Sequence, residues 1–396
     1  MGGGLMQLVA YGAQDIYLTG QPQITFFKSV YRRHTNFALE SILQTINGSL
    51  SSNSRVSVTI SRNGDLLTDL QLRVPATIAY DPESEYGDIN QGGGSYERLK
   101  LLKYAELEIG GQLVSKIYGD WMQIWSELTT RKSPTKADPL ASCLTLNDPA
   151  VVGDNEIFIP LQFWFHKRPG LAIPLIALQY HEVKINFEFN PIYKDTKQSQ
   201  SNFTPFYRGV ELWADYVYLD TTERRQFAQN AHEYLIEQLQ AQDERVKVGQ
   251  NTIRLNFNHP VKYISWGIND TVLNTDTPNG YLPYEKSKIV LNGTDRFQER
   301  TRKYFSTWQV YSHWPTNAYF PDYSFYFDNR SITPSVYSFA ISPSEHQPSG
   351  TCNFSRIDTA QLVVDGVQTA GPLTIYAVNY NVLRIMSGMG GLAYSN

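Results

Sequence analysis

The sequence predicts an all-β protein made of two tandem eight-stranded jelly-roll β-sandwiches, a double jelly roll, with short helices in the connections. Three observations lead there. Aromatic residues supply 13% of the 396 positions and charged residues only 18%, and aromatic side chains suit a half-buried pleated surface. Alternating runs such as Val56-Ser57-Val58-Thr59-Ile60 and Ile253-Arg254-Leu255-Asn256-Phe257 recur between clusters of Gly, Pro, Asn and Asp, the pattern of short strands joined by turns. The runs also repeat in the same order, half against half.

Residues 1–26 read as an N-terminal arm. Its first 22 residues have no counterpart between the halves, yet they carry Leu5, Leu8, Val9, Tyr11, Ile16, Tyr17 and Leu18. That is too apolar for a free tail, so the arm should be buried against something. The N-terminus lacks the basic stretch of a signal peptide, and Met6 stands where a myristoylation motif wants Ser or Thr. Synthesis and use without secretion are expected.

Residues 27–219 read as the first jelly roll. At its start Lys28, Arg32, Arg33 and His34 are interleaved with Phe26, Phe27 and Tyr31, a mixture that could stack and neutralise a nucleic acid. The segment is short and the chain carries a net charge of −4, so counterion release gives no general hold on a phosphate backbone. The segment reads instead as a strand entering a sheet, and no specific nucleic acid is expected. The hairpin Leu107-Glu108-Ile109-Gly110-Gly111 runs on into an aromatic, helical stretch from Tyr118 to Trp125.

Residues 220–239 read as a helical connector. Asp220 stands as an N-cap with Glu223 three residues on, and Phe227, Ala231, Tyr234, Leu235 and Leu239 fall on roughly one face.

Residues 240–396 read as the second jelly roll, because they repeat the first in order. Ile253, Leu255 and Phe257 match Val56, Val58 and Ile60; Ile289-Val290-Leu291-Asn292-Gly293 matches the first hairpin and again runs into an aromatic stretch, Arg302 to Trp308. Leu362 and Val364 match Val183 and Ile185, and Ile375-Tyr376-Ala377 matches Leu212-Trp213-Ala214. Any one match is weak, since two strands always align by their period of two. Four in order argue for duplication.

The chemistry-bearing residues form no constellation. No His-Glu-x-x-His occurs among the seven histidines, and two cysteines, Cys143 and Cys352, are too few for a zinc site or a disulfide framework; both read as buried or half-buried thiols. His181 reads as a core or inter-domain hydrogen-bonding residue. Gly388-Met389-Gly390-Gly391-Leu392-Ala393 fits a dinucleotide-binding glycine pattern, but no helix follows to hold a pyrophosphate. Catalytic, cofactor-binding and metal-ligating residues are therefore expected to be none. The longest apolar run, 171–178, is broken by Pro174 and is far short of the ~20 residues of a membrane helix.

Six Asn-x-Ser/Thr sequons occur, and Asn202, Asn269 and Asn329 fall in predicted loops, making them the candidate glycan acceptors. The segments expected on the outward surface are 76–100, 191–208, 269–285 and 315–330, which are polar or rich in Gly, Pro and Asn.

Longer strings carry a resemblance. Leu5-Met6-Gln7-Leu8-Val9-Ala10-Tyr11-Gly12-Ala13-Gln14-Asp15, Tyr31-Arg32-Arg33-His34-Thr35-Asn36-Phe37, Ser61-Arg62-Asn63-Gly64-Asp65-Leu66, residues 170–185, Asn256-Phe257-Asn258-His259-Pro260 and residues 347–358 closely resemble the major capsid proteins of nucleo-cytoplasmic large DNA viruses, the chlorella-virus type above all. The resemblance spans essentially the whole chain. It implies a double jelly roll and a non-enzymatic role. It further implies homotrimers, pseudo-hexagonal capsomers that tile the outer icosahedral shell of a large double-stranded DNA virus. The partners it implies are neighbouring capsomers, minor capsid and penton proteins, and an inner viral membrane beneath the shell. The location it implies is the virion, assembled in the host cytoplasm. The arm would then lie on the inner face of that shell. A carbohydrate-binding or carbohydrate-active double β-sandwich is the alternative, since fold alone does not decide function; the acidic loop with Asp81, Glu83, Glu85 and Asp88 would be its place to look.

Overall fold

Alternation becomes strand from Phe37 onward. The structure, a computed structural model, describes residues 3–48, 55–75, 99, 101–129, 143, 156–190, 209–267, 284–314 and 334–395. It resolves into two compact units, Met1–Asn36 and Phe37–Asn396.

The second unit holds sixteen principal strands among its described residues. In the first half they are β1 (Phe37–Gln44), β2 (Arg55–Thr59), β3 (Leu66–Pro75), β4 (Leu102–Ile109), β5 (Gln112–Tyr118), β6 (Glu156–Pro160), β7 (Val183–Phe189) and β8 (Glu211–Leu219). In the second half they are β9 (His232–Val246), β10 (Gly249–Arg254), β11 (Pro260–Gly267), β12 (Lys286–Leu291), β13 (Thr294–Asp295), β14 (Ser335–Ser338), β15 (Ala360–Val367) and β16 (Gly371–Met386). The first half forms sheets β1-β8-β3-β6 and β2-β7-β4-β5; the second forms β9-β16-β11-β14 and β10-β15-β12-β13. Each strand of the second half thus stands where the strand eight earlier stands in the first. This is the eight-stranded jelly roll traced twice.

Each sandwich has a core of its own strands, and Ile236, Leu383 and Ile385 of the second half also join the first. Val56, Val58, Leu70, Leu72, Leu107, Ile185, Phe187, Leu212 and Ala214 belong to the first. Ile253, Leu255, Ile264, Ile289, Leu362, Val364, Ile375 and Ala377 belong to the second. Both matched hairpins turn on two residues with positive φ, Gly110 (59°) with Gly111 (81°) and Asn292 (50°) with Gly293 (78°), the geometry a two-residue hairpin requires and Gly or Asn supplies.

The register refines the repeat. Val58 and Leu107 both face Ile185 across β7, whereas Ile253 and Ile289 both face Leu362 across β15. With the hairpins superposed, Ile253 corresponds to Val58 and not Val56, and Leu362 to Ile185 and not Val183. Sequence matching slipped both strands by two residues. A slip of two keeps every side chain on its own face, so alternation cannot detect it.

The helical reading of 220–239 is corrected. The helix covers only Thr221–Gln229, Asn230 is extended, and β9 starts at His232. Leu235 and Leu239 are four apart, a spacing that serves one helix face and one strand face equally. Asp220 makes no side-chain cap; Asp65 holds the helix instead, accepting from Arg224 Nε at 2.8 Å and from the Leu219 amide at 2.9 Å.

The first unit carries short helices at Gly3–Val9 and Ile16–Thr19. Residues 28–34 form no strand, contrary to the reading from sequence. Leu5, Leu8, Val9, Tyr17, Leu18, Phe26 and Phe27 are exposed.

Candidate functional site

The most elaborate packing outside the two cores lies where one sandwich meets the other. After β5 the chain forms the helix Gly119–Thr129, whose Met122 enters the first core while Trp121, Ile124 and Leu128 join a separate cluster with Tyr263, Val336, Tyr376 and Val378 of the second sandwich. Trp121 stacks 6.0 Å from Tyr263 and lies 5.3 Å from Tyr376, centroid to centroid. These offset aromatic contacts give the junction directional fit beyond area burial.

A buried charge cluster flanks the aromatic one. Lys262, 1% exposed, donates from Nζ to Glu237 Oε1 and to the Glu345 carbonyl, each at 2.8 Å, and lies over the Tyr380 ring. Arg168 of the first sandwich reaches Glu237 Oε2 at 3.2 Å, and His346 Nδ1 lies 3.1 Å from Oε1. Burial alone would raise the Glu237 carboxyl. The His346 hydrogen bond and the Lys262 and Arg168 charges outweigh it and hold the group down at about 2. Burial pushes the Lys262 ammonium below its ordinary value, opposed by Glu237. One carboxylate therefore fixes cations from both sandwiches. Gln238 adds a second crossing, donating to the Val114 carbonyl at 2.6 Å. A cavity of about 150 Å³ opens beside them, lined by Trp121, Trp125, Trp164, His166, Arg168 and Glu237 among others.

The C-terminal glycines close the junction from the other side. Strand Met389–Leu392 pairs with β16 and its hairpin lies on the first sandwich: the Tyr180 amide donates to the Gly388 carbonyl at 3.0 Å, and His181 Nδ1 lies 2.9 Å from the Gly390 carbonyl. A Cβ at Gly390 would stand 2.7 Å from Leu178 and 3.1 Å from Ile109, and one at Gly110 only 2.3 Å from His181. The glycine pattern thus serves close approach, and His181 is an inter-sandwich hydrogen-bonding residue.

Some apolar surface is left uncovered within the second unit. The π-turn Tyr304–Trp308 leads into the helix Gln309–His313; Phe305 and Val310 are buried, but Trp308 and Tyr311 are 58% and 73% exposed and lie 5.9 Å apart. On β1, Leu39 and Leu43 are 67% and 48% exposed.

Comparison with known proteins decides what such a molecule is. Residues 25–220 match the family described as the major capsid protein N-terminus, and residues 223–391 match the large eukaryotic DNA virus major capsid protein family. The chain is 48% identical to the major capsid protein of Pyramimonas orientalis virus and 41% identical to that of Paramecium bursaria Chlorella virus 1, in both cases over 100% of each chain. The chain belongs to the major capsid proteins of large eukaryotic DNA viruses. A solved structure described as a quasi-atomic model of the PBCV-1 virus capsid covers 94% of this capsid protein and 100% of its own chain, with a TM-score of 0.72 at 37% identity. The Faustovirus major capsid protein shares the fold at 13% identity, with a TM-score of 0.64.

The capsid protein is a structural, non-enzymatic subunit that assembles with other capsid subunits into the virion shell. Among its described residues no group of three or more His, Cys, Asp or Glu is placed to hold a metal ion. The candidate acceptors Asn202, Asn269 and Asn329 lie outside the described residues, as do the acidic loop at 81–88 and nearly all of the four segments expected to face outward. Two further sequon asparagines do structural work: Asn292 Oδ1 accepts from the Thr359 amide at 3.0 Å, and Asn353 Oδ1 from the Ser355 amide at 3.1 Å. Cys143 is exposed rather than buried, and Cys352 is half-buried. Sequence reasoning missed the Glu237 cluster, because its four side chains come from segments up to 178 residues apart.

Proposed function

We propose that this capsid protein forms homotrimers whose pseudo-hexagonal outline tiles the outer icosahedral shell of a large double-stranded DNA virus. The observation that carries the reading is the same eight-strand order traced twice in one chain. Three chains then offer six similar walls, and a heterologous contact repeated around a ring closes without leaving an open face. In this reading the chain works as an arm ahead of β1, a first jelly roll (β1 to β8), a short helical connector (Thr221–Gln229) and a second jelly roll (β9 to β16). Neighbouring capsomers meet the trimer's walls. Minor capsid and penton proteins, and a viral membrane beneath the shell, face its inner side, with assembly in the host cytoplasm. Glycans, where attached, sit on Asn202, Asn269 or Asn329.

The exposed apolar residues of the arm support an ordering step on assembly, since burying five to seven such side chains at ~1.5–3 kcal/mol each offsets the entropy of fixing the chain. The test is to delete residues 2–22 and follow trimer mass and particle formation separately. Trimers that form but do not build shells agree with the reading. Normal particles, or loss of the isolated trimer, contradict the role given to the arm.

A further inference from the structure

The junction inside one chain supplies a template for the junction between chains. Superposing Met122 on Phe305, each fully buried in its own core, aligns the two aromatic helical segments and places Trp121, Trp125 and Leu128 on Tyr304, Trp308 and Tyr311. In the first sandwich this helix face is spent on the second. In the second sandwich Trp308 and Tyr311 have no such neighbour within the described residues and stand in solvent.

The receiving surface has an equivalent too. Trp121 lies against the outward face of β9 and β16, where Ala241 pairs with Tyr376 and Leu239 with Val378. Matching Ala214 to Ala377, both in their cores, puts Trp213 on Tyr376 and Asp215 on Val378. The pairing of β1 with β8 then places Leu43 opposite Trp213, Ser41 opposite Asp215 and Leu39 opposite Val217. Leu39 and Leu43 are exposed on this face. The charges complement as well. The exposed Lys303 of the second sandwich occupies the position of Asp120 in the first, and the face it would meet carries Asp215 where the second sandwich has Val378.

We propose that Trp308 and Tyr311 of one copy pack against the Leu39, Leu43 and Trp213 face of the next copy, repeating between chains the part that Trp125 and Leu128 play in the junction cluster within one. This rests on the trimer reading above and names the surfaces that make it. The occupant is a second copy of this chain because, among the described residues, the surface that accepts this helix face is the outward face of a jelly roll of the same kind. Large aromatic side chains of this sort are the anchors that dominate protein interfaces.

The test uses two full-length chains, each carrying Cys143→Ser and Cys352→Ser, one with Leu43→Cys and the other with Tyr311→Cys. Co-expressed and treated with a short bis-maleimide, they should give covalent 43-to-311 dimers that neither chain gives alone. In the unlabelled protein, Trp308→Ala should raise the concentration of half-dissociation at least about tenfold. Trimers of normal mass with no mixture-specific cross-link overturn the proposal and leave the trimer standing. A monomer for the unsubstituted chain overturns the trimer reading itself. Should Leu43→Cys be shielded from a monofunctional maleimide in dilute monomer and freed by deleting residues 2–22, the chain's own arm covers this face and the proposal fails.

Discussion

Glu237 carries more consequence than its place in a strand suggests, because its carboxylate is shared by Lys262 and His346 of one sandwich and Arg168 of the other. Removing one partner of a buried pair strands the other charge, so Lys262→Met should destabilise the protein by roughly 3–5 kcal/mol in urea unfolding, and adding Glu237→Met should recover most of that loss. Additive losses in the double variant would show that the two side chains do not act as a pair. The same carboxyl sets an acid limit. Its folded value of about 2 lies below the ~4.3 of an unfolded glutamate, so its contribution is complete above about pH 4.3 and fades as pH falls towards 2. Roughly 3 kcal/mol is lost across that window. A thermal midpoint that drops between pH 4.5 and 2.5 in the parent, and more shallowly in Glu237→Gln, is the expected outcome; parallel curves would contradict it.

At the scale of elements, the C-terminal hairpin behaves as a clasp between sandwiches, and its fit depends on the absence of side chains. Gly390→Val places carbon atoms into space held by Leu178 and Ile109, and overpacking of this kind costs typically 1–3 kcal/mol. Unfolding with an unchanged midpoint would mean the hairpin does not hold the first sandwich in solution. These elements also show how far the sequence could be read. The matched hairpins were legible because Gly110-Gly111 and Asn292-Gly293 encode one turn type through positive φ, a local property. The strand β9 was not, because Leu235 and Leu239 fit either period and only pairing with β16 decides between them. The two-residue slip of β10 and β15 has the same origin: register is set by neighbours across the sheet, whereas alternation records only the face. The glycines at 388–391 were visible as a pattern, but their purpose depends on Tyr180 and His181 some two hundred residues away.

For the whole molecule, duplication is the property from which the function follows. Two sandwiches of one design share an aromatic junction, and each has a counterpart of the other's contact surface. One side of that relation is satisfied inside the chain; the other leaves Trp308, Tyr311, Leu39 and Leu43 exposed. In the proposed assembly the used and the unused copy of this contact join chains head to tail, and the proposed ring of three chains leaves no copy open. The native mass of the purified 45.1 kDa chain tests this most directly. The account predicts a single species at three times the chain mass at micromolar concentration, whereas a monomer, or an open series of larger species without a closed trimer, would contradict it.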